Sequence, residues 1–125
     1  MKRKSPKFKL SMAHDLRTAL WISLDLLSFV LPAEIHPGTI IRSERISQKL
    51  SDSDAITEAV IIEFSAMDFL TAVSALEYAV LYLNGIHKHF STPISPSIHQ
   101  ELFKYEIAIR ALRNDFLNRK RNAGI

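Results

Sequence analysis

Residues 54–84 contain neither proline nor glycine, and most of their side chains are apolar. As one helix, this stretch of 31 residues would be about 46 Å long. Its polar residues form only a narrow stripe along such a helix. A helix that is apolar over most of its circumference must be covered by other elements. The sequence therefore predicts one long central helix, from about 54 to 84, that other helices enclose.

The rest of the chain predicts three more helices. Ser11 is a plausible N-cap for a first helix that reaches about Leu31, and a shorter helix is expected over 39–50. The last helix is expected to begin near Ser97. Its apolar residues recur at spacings of 4, 3, 4, 3 and 4, a packing stripe formed by Ile98, Leu102, Tyr105, Ile109, Leu112 and Phe116.

The order of these elements predicts an all-α fold, an up-down four-helix bundle with one long central helix. "NGI" at 84–86 is a helix stop, with Gly85 in the left-handed conformation. Asp68 interrupts the apolar central segment, and a paired carboxylate there would fix the register of the helices. The last helix also carries a second, weaker apolar stripe, which predicts an interface with another copy of the chain through Phe103, Ile107 and Leu117.

Positive charge is concentrated at the two ends of the chain. The net charge is +3, but residues 1–9 carry +5 and residues 110–125 carry +4, so the body between them is acidic. We expect a flexible basic arm over 1–10, a single helical-bundle domain over 11–118 and a basic tail over 119–125. Basic ends of this kind contact a polyanion or an acidic protein face, or serve only solubility.

A nucleic-acid contact is the more specific interpretation of these ends. Each Lys or Arg near a phosphate releases a counterion and adds salt-dependent affinity. Phe8 is the only aromatic residue near the basic residues of the arm, so the contact is expected to follow the backbone with little sequence preference. The candidate nucleic-acid-binding residues are Lys2, Arg3, Lys4, Lys7, Lys9, Arg110, Arg113, Arg119, Lys120 and Arg121.

Signals for catalysis or a cofactor are weak. The chain has no cysteine, which excludes disulfides and thiolate metal sites and suits a reducing cytoplasm. His87 and His89 follow a helix end, where cations are favoured, and they would need further ligands to bind a metal. Arg113 resembles the start of the Arg-x4-His motif of HEPN ribonucleases, but Asn118 occupies the histidine position. The sequence therefore predicts no enzyme, no metal and no cofactor.

Residues 70–124 resemble the accessory variability determinant (Avd) proteins of diversity-generating retroelements. The points of likeness are "LEYAVLYLNGIHK", a short proline loop and an amphipathic last helix that ends in "NRKRNAG". The resemblance implies a basic four-helix bundle that assembles as a ring, partners a reverse transcriptase and contacts nucleic acid. Within it, the residues that match the basic C-terminal region are Arg113, Arg119, Lys120 and Arg121.

These inferences predict a non-enzymatic, oligomeric accessory protein that binds nucleic acid, or an enzyme acting on nucleic acid, through its basic termini. The alternative is a protein-binding module of the antitoxin, immunity or inhibitor type from a mobile element. A metal or small-molecule enzyme hidden in the bundle is a third hypothesis. Because no run of 18 uncharged apolar residues occurs, a cytoplasmic protein without a membrane span is expected.

Overall fold

The fold is mostly helical and includes one small sheet. A computed structural model describes residues 7–51, 58–91 and 93–125. Two short 3₁₀ turns, Leu27–Phe29 and Pro32–Glu34, separate the first two helices. The elements in chain order are β1 (Lys7–Met12), α1 (His14–Leu26), α2 (Pro37–Ser51), β2 (Val60–Ser65), α3 (Ala66–Leu83), α4 (Pro96–Lys104) and α5 (Glu106–Ala123).

The two strands pair antiparallel, with Phe8 opposite Phe64 and Lys9 opposite Glu63. Both strands alternate between an inner and an outer face, because successive side chains of a strand point to opposite sides. Leu10 and Phe64 lie on the buried inner face, whereas the lysines and Glu63 lie on the exposed outer face. The sheet therefore has an apolar side on the core and a charged side toward solvent.

The predicted all-α four-helix bundle is wrong, because β1 and β2 form a sheet and the expected helix over 54–84 begins only at Ala66. The run Val60-Ile61-Ile62 is β-branched, which favours a strand over a helix. Ser65 then starts α3 as its N-cap, since its Oγ accepts the Asp68 amide at 3.1 Å. Residues 54–57 of the expected helix lie outside the described residues.

The start of the chain also differs from expectation. Ser11 belongs to β1 rather than capping α1, and Ala13 is the N-cap residue. β1 takes up the last residues of the expected flexible arm, and residues 1–6 lie outside the described part of the chain. The buried Arg17 donates from Nη1 to the carbonyls of Met12, at 2.6 Å, and Glu58, at 3.1 Å. It thereby ties the end of β1 to the segment that leads into β2.

α3 is the central element of the core, as expected for the apolar segment that contains it. By length and composition it could cross a membrane, but 61% of it is buried inside the structure, as in the core helix of a soluble protein. It ends as predicted, since Gly85 has φ 81° and the Ile86 amide donates to the Leu81 carbonyl at 3.0 Å.

Four phenylalanine rings join the sheet to the helices. Phe69 of α3 lies between Phe8 and Phe116, with ring centroids 4.0 Å and 4.9 Å away, and both pairs are stacked. Phe64 meets Phe69 and Phe116 edge-on. Such ring pairs add to the stabilisation from burial. The N-terminal strand and the C-terminal helix therefore pack around the same aromatic cluster.

The expected last helix is divided at Tyr105, where α4 ends and α5 begins. The predicted packing stripe is confirmed, because Leu102, Ile109, Leu112 and Phe116 are buried and the other two members are half-buried. α5 continues to Ala123, so most of the residues expected in a C-terminal tail are helical.

Candidate nucleic-acid interface

Two lysines of β1 project from the outer face of the sheet. Their position follows from the alternation of the strand, which turns Phe8 and Leu10 toward the core. The side chains of Lys7 and Lys9 are each 70% exposed. Their Nζ atoms lie 3.5 and 3.9 Å from the two carboxylate oxygens of Glu63. Two cations thus share one carboxylate.

A second group of cations lies along one face of α2. Arg42, Arg45 and Lys49 are spaced by three and four residues, so they line the same side of the helix. Arg45 forms an ion pair with the buried carboxylate of Asp68 on α3. This confirms the expectation of a paired carboxylate at Asp68. Arg42 Nε donates to Thr71 Oγ1 at 2.9 Å.

Arg42, Arg45 and Lys49 are here named the α2 row. Lys49 joins this row to the sheet. Its Nζ donates to the Glu63 carbonyl at 3.0 Å and lies 3.9 Å from Asp68 Oδ2. The row and the strand lysines therefore form one continuous surface, here named the basic band, in which five cations meet two carboxylates. The band comprises Lys7, Lys9, Arg42, Arg45 and Lys49.

The lysines of β1 were predicted from the sequence, whereas the α2 row was not. The available signal was the Arg-x2-Arg-x3-Lys spacing in "TIIRSERISQKL", which places three cations on one face of any helix. Lys2, Arg3 and Lys4, which were also predicted to bind nucleic acid, lie outside the described residues.

Three of the predicted C-terminal arginines are paired with carboxylates. Arg110 Nε donates to Glu106 Oε2 at 2.9 Å, and Arg119 Nε donates to Asp115 Oδ2 at the same distance. Arg113 Nε lies 3.3 Å from Glu77 Oε1, an ion pair without hydrogen-bond geometry. Each of these arginines therefore has a carboxylate of its own close by.

Lys120 and Arg121 are the remaining predicted cations of α5. Within the described ranges, no carboxylate lies within 4 Å of either side chain. Together with Leu117 and Ile125 they line a shallow depression of about 280 Å³ at the end of the helix. They are the C-terminal positions with charge available for a polyanion.

The predicted interface residues differ in exposure. Ile107 is 87% exposed and Phe103 is 46% exposed, whereas Leu117 is half-buried against the core. The ring of Phe103 lies 5.0 Å from that of His99. An apolar face of this kind suits contact with another protein, and the oligomer itself stays a prediction.

Three of the five histidines, His87, His89 and His99, lie beside aromatic or acidic side chains. His87 stacks on Tyr82 at 4.4 Å, and the Tyr82 hydroxyl lies 2.6 Å from His99 Nδ1. His89 Nδ1 lies 2.6 Å from Glu34 Oε1. Burial raises the pKa of the Tyr82 hydroxyl. Among the described residues, no three His, Asp or Glu side chains are grouped so that they could hold a metal ion.

A groove of about 340 Å³ lies between α1 and α2. Its walls include Trp21, Asp25, Glu44 and several serines. Although much of Asp25 is exposed, partial burial of its carboxyl group against this groove raises its pKa. The groove contains none of the residues that sequence analysis assigned to a function.

Comparison with known protein families, with curated proteins and with solved structures finds no match for this chain. The resemblance of residues 70–124 to the Avd proteins therefore stays a prediction.

Proposed function

We propose that this protein is a non-enzymatic, oligomeric accessory protein of the cytoplasm that binds nucleic acid, or an enzyme acting on nucleic acid, through basic residues near both ends of its chain. The observation that carries the proposal is the outer face of β1. The side chains of Lys7 and Lys9 are each 70% exposed there, and both lie close to Glu63. Residues near both chain ends also pack around the aromatic cluster of Phe8, Phe69 and Phe116, so both ends belong to the same core.

The chemistry favours contact with the phosphate backbone. Phe8, the one aromatic residue beside the basic residues of the arm, is half-buried and stacks on Phe69 of the core. A half-buried ring that is already stacked on a core side chain offers bases a poor stacking platform. Affinity is then governed by counterion release, and it falls steeply as salt rises.

A matched set of substitutions tests the proposal. K7Q/K9Q and K120Q/R121Q each remove two positive charges from the chain ends, and we expect both to elute from heparin or an RNA column at lower salt. K88Q/K104Q removes two exposed positive charges from elsewhere and serves as the control.

If all three double variants eluted together with the unchanged protein, binding through the ends would be excluded. Circular dichroism of each variant checks that the fold is retained.

The second candidate function is a protein-binding module of the antitoxin, immunity or inhibitor type. The exposed side chains of Phe103 and Ile107 favour it, because an apolar face on a helix is a common docking surface. Stable one-to-one purification with another protein, free of nucleic acid, would favour this function over nucleic-acid binding.

A further inference from the structure

The α2 row has three features of a phosphate-binding surface. Two of its cations are exposed, since the side chains of Arg45 and Lys49 are 54% and 43% accessible to solvent, and Arg42 is half-buried. They lie on a helix, which presents them at fixed spacing. They are also held from the protein side, because Asp68, Thr71 and the Glu63 carbonyl contact Arg45, Arg42 and Lys49 in turn.

We infer that the basic band of α2 and β1, more than the C-terminal helix, is the principal surface by which this protein binds the phosphodiester backbone of nucleic acid. This inference rests on the proposed function and names the surface responsible. The charge balance supports it. Within the described part of the chain, the band holds five cations against two carboxylates, whereas three of the five cations of α5 have a carboxylate each.

Spacing along the helix supports the same conclusion. From Arg42 to Lys49 the row rises about 10.5 Å at 1.5 Å per residue. One strand of a duplex advances about 3.4 Å per phosphate along the axis, so a row aligned with the axis covers about three steps between phosphates. Lys7 and Lys9 extend the positive surface across the sheet, because Lys49 contacts the same residue, Glu63, that the two strand lysines share.

Partial fixation of the cations favours binding. A long side chain that is already held loses less conformational freedom when it meets a ligand. Asp68 is buried, with 4% of its side chain accessible, and it contacts the ends of Arg45 and Lys49. An arginine has five N–H donors, so Arg45 can bind Asp68 and still present donors to a phosphate.

The test measures binding of a short mixed-sequence DNA duplex over a range of salt concentrations. The variant is R42Q/K49Q, which leaves the Arg45–Asp68 ion pair in place so that the fold is retained, as circular dichroism would verify. We expect the slope of log affinity against log salt to become shallower by about 2, and affinity to fall by about tenfold per lost contact at low salt.

Two controls isolate the effect. R42K/K49R keeps both charges and is expected to bind like the unchanged protein. K88Q/K104Q removes two positive charges away from the band. It is expected to change the slope of log affinity against log salt by less than the value for one phosphate contact.

The outcomes separate this inference from the proposed function. If R42Q/K49Q kept its full affinity and K120Q/R121Q lost it, the band would be rejected while nucleic-acid binding stood. If the unchanged protein failed to bind DNA or RNA in about 50 mM salt, the proposed function would itself be rejected. Binding of heparin alone, with the same dependence on the band, would overturn the assignment to nucleic acid.

Discussion

The carboxylate of Asp68, at the start of α3, forms an ion pair with the guanidinium of Arg45 on α2. The two partners are unequal, since the Asp68 side chain is 4% exposed and that of Arg45 is 54% exposed. Removing Arg45 would leave a buried carboxylate whose remaining ion-pair partner among the described residues is Lys49, 3.9 Å away. Removing the Asp68 charge would leave an arginine that water can solvate. The ion pair therefore joins α2 to α3 and also holds the side chain of Arg45 in place within the basic band.

This asymmetry predicts unequal costs for two single substitutions. R45Q is expected to lower the free energy of unfolding by about 1–3 kcal/mol, because a buried charge loses its main partner. D68N is expected to cost less, since the amide oxygen can still accept a hydrogen bond from Arg45. Urea unfolding of both variants and of R45Q/D68N measures the coupling. A larger cost for D68N than for R45Q would contradict this description of the pair.

Phe69 lies at the centre of the ring cluster that joins both chain ends. F69A is expected to lower the free energy of unfolding by about 3–5 kcal/mol, because it removes a fully buried ring and leaves a cavity. F103A removes a ring that is 46% exposed and should cost much less. Denaturant unfolding compares the two. Equal costs would show that the cluster is not the centre of the core.

Ile107 offers a test of the predicted oligomer. I107S changes a side chain that is 87% exposed, so it should leave the stability of a single chain nearly unchanged. If Ile107 lies in an interface between copies, light scattering should show a smaller mass for I107S than for the unchanged protein. I41S alters another exposed isoleucine, on α2, and is the control. If I107S had the same mass as the unchanged protein, Ile107 would not lie in an interface between copies.

The ionised carboxylate of Asp25 is expected to lower the stability of the fold at neutral pH. Its pKa in the folded state is raised above 3.8 by partial burial, so the folded chain holds this proton more tightly than the unfolded chain. Stability linked to this group therefore falls as pH rises from 3.8 through the raised pKa, and the loss persists above it. D25N is expected to raise Tm at about pH 7 and to have little effect at about pH 3. A lower Tm for D25N at neutral pH would contradict this assignment.

Local patterns predicted the parts of the fold that depend on local chemistry. Gly85 could be predicted as a helix stop because the left-handed backbone conformation favours glycine. The stripe ending at Phe116 could be predicted because its spacing is helical. The strands were missed for a different reason. Val60 and Phe64 are four residues apart, a spacing that fits one face of a helix and also one face of a strand.

The pairing of β1 with β2 could not be seen locally, because the two strands are about fifty residues apart in the chain. The alternation of Lys7, Phe8, Lys9 and Leu10 was nevertheless a strand signal. The same limit applies to the candidate site. The spacing of the α2 cations is visible in the sequence, but the contact of Asp68 with Arg45 depends on the tertiary fold.

The most direct test of nucleic-acid binding through the basic band uses the unchanged protein and measures its affinity for mixed-sequence DNA duplexes against salt. Five phosphate contacts predict a linear fall of log affinity with log salt, with a slope of about −4.5 that is the same for unrelated sequences. A slope near zero, or no binding at about 50 mM salt, would contradict it.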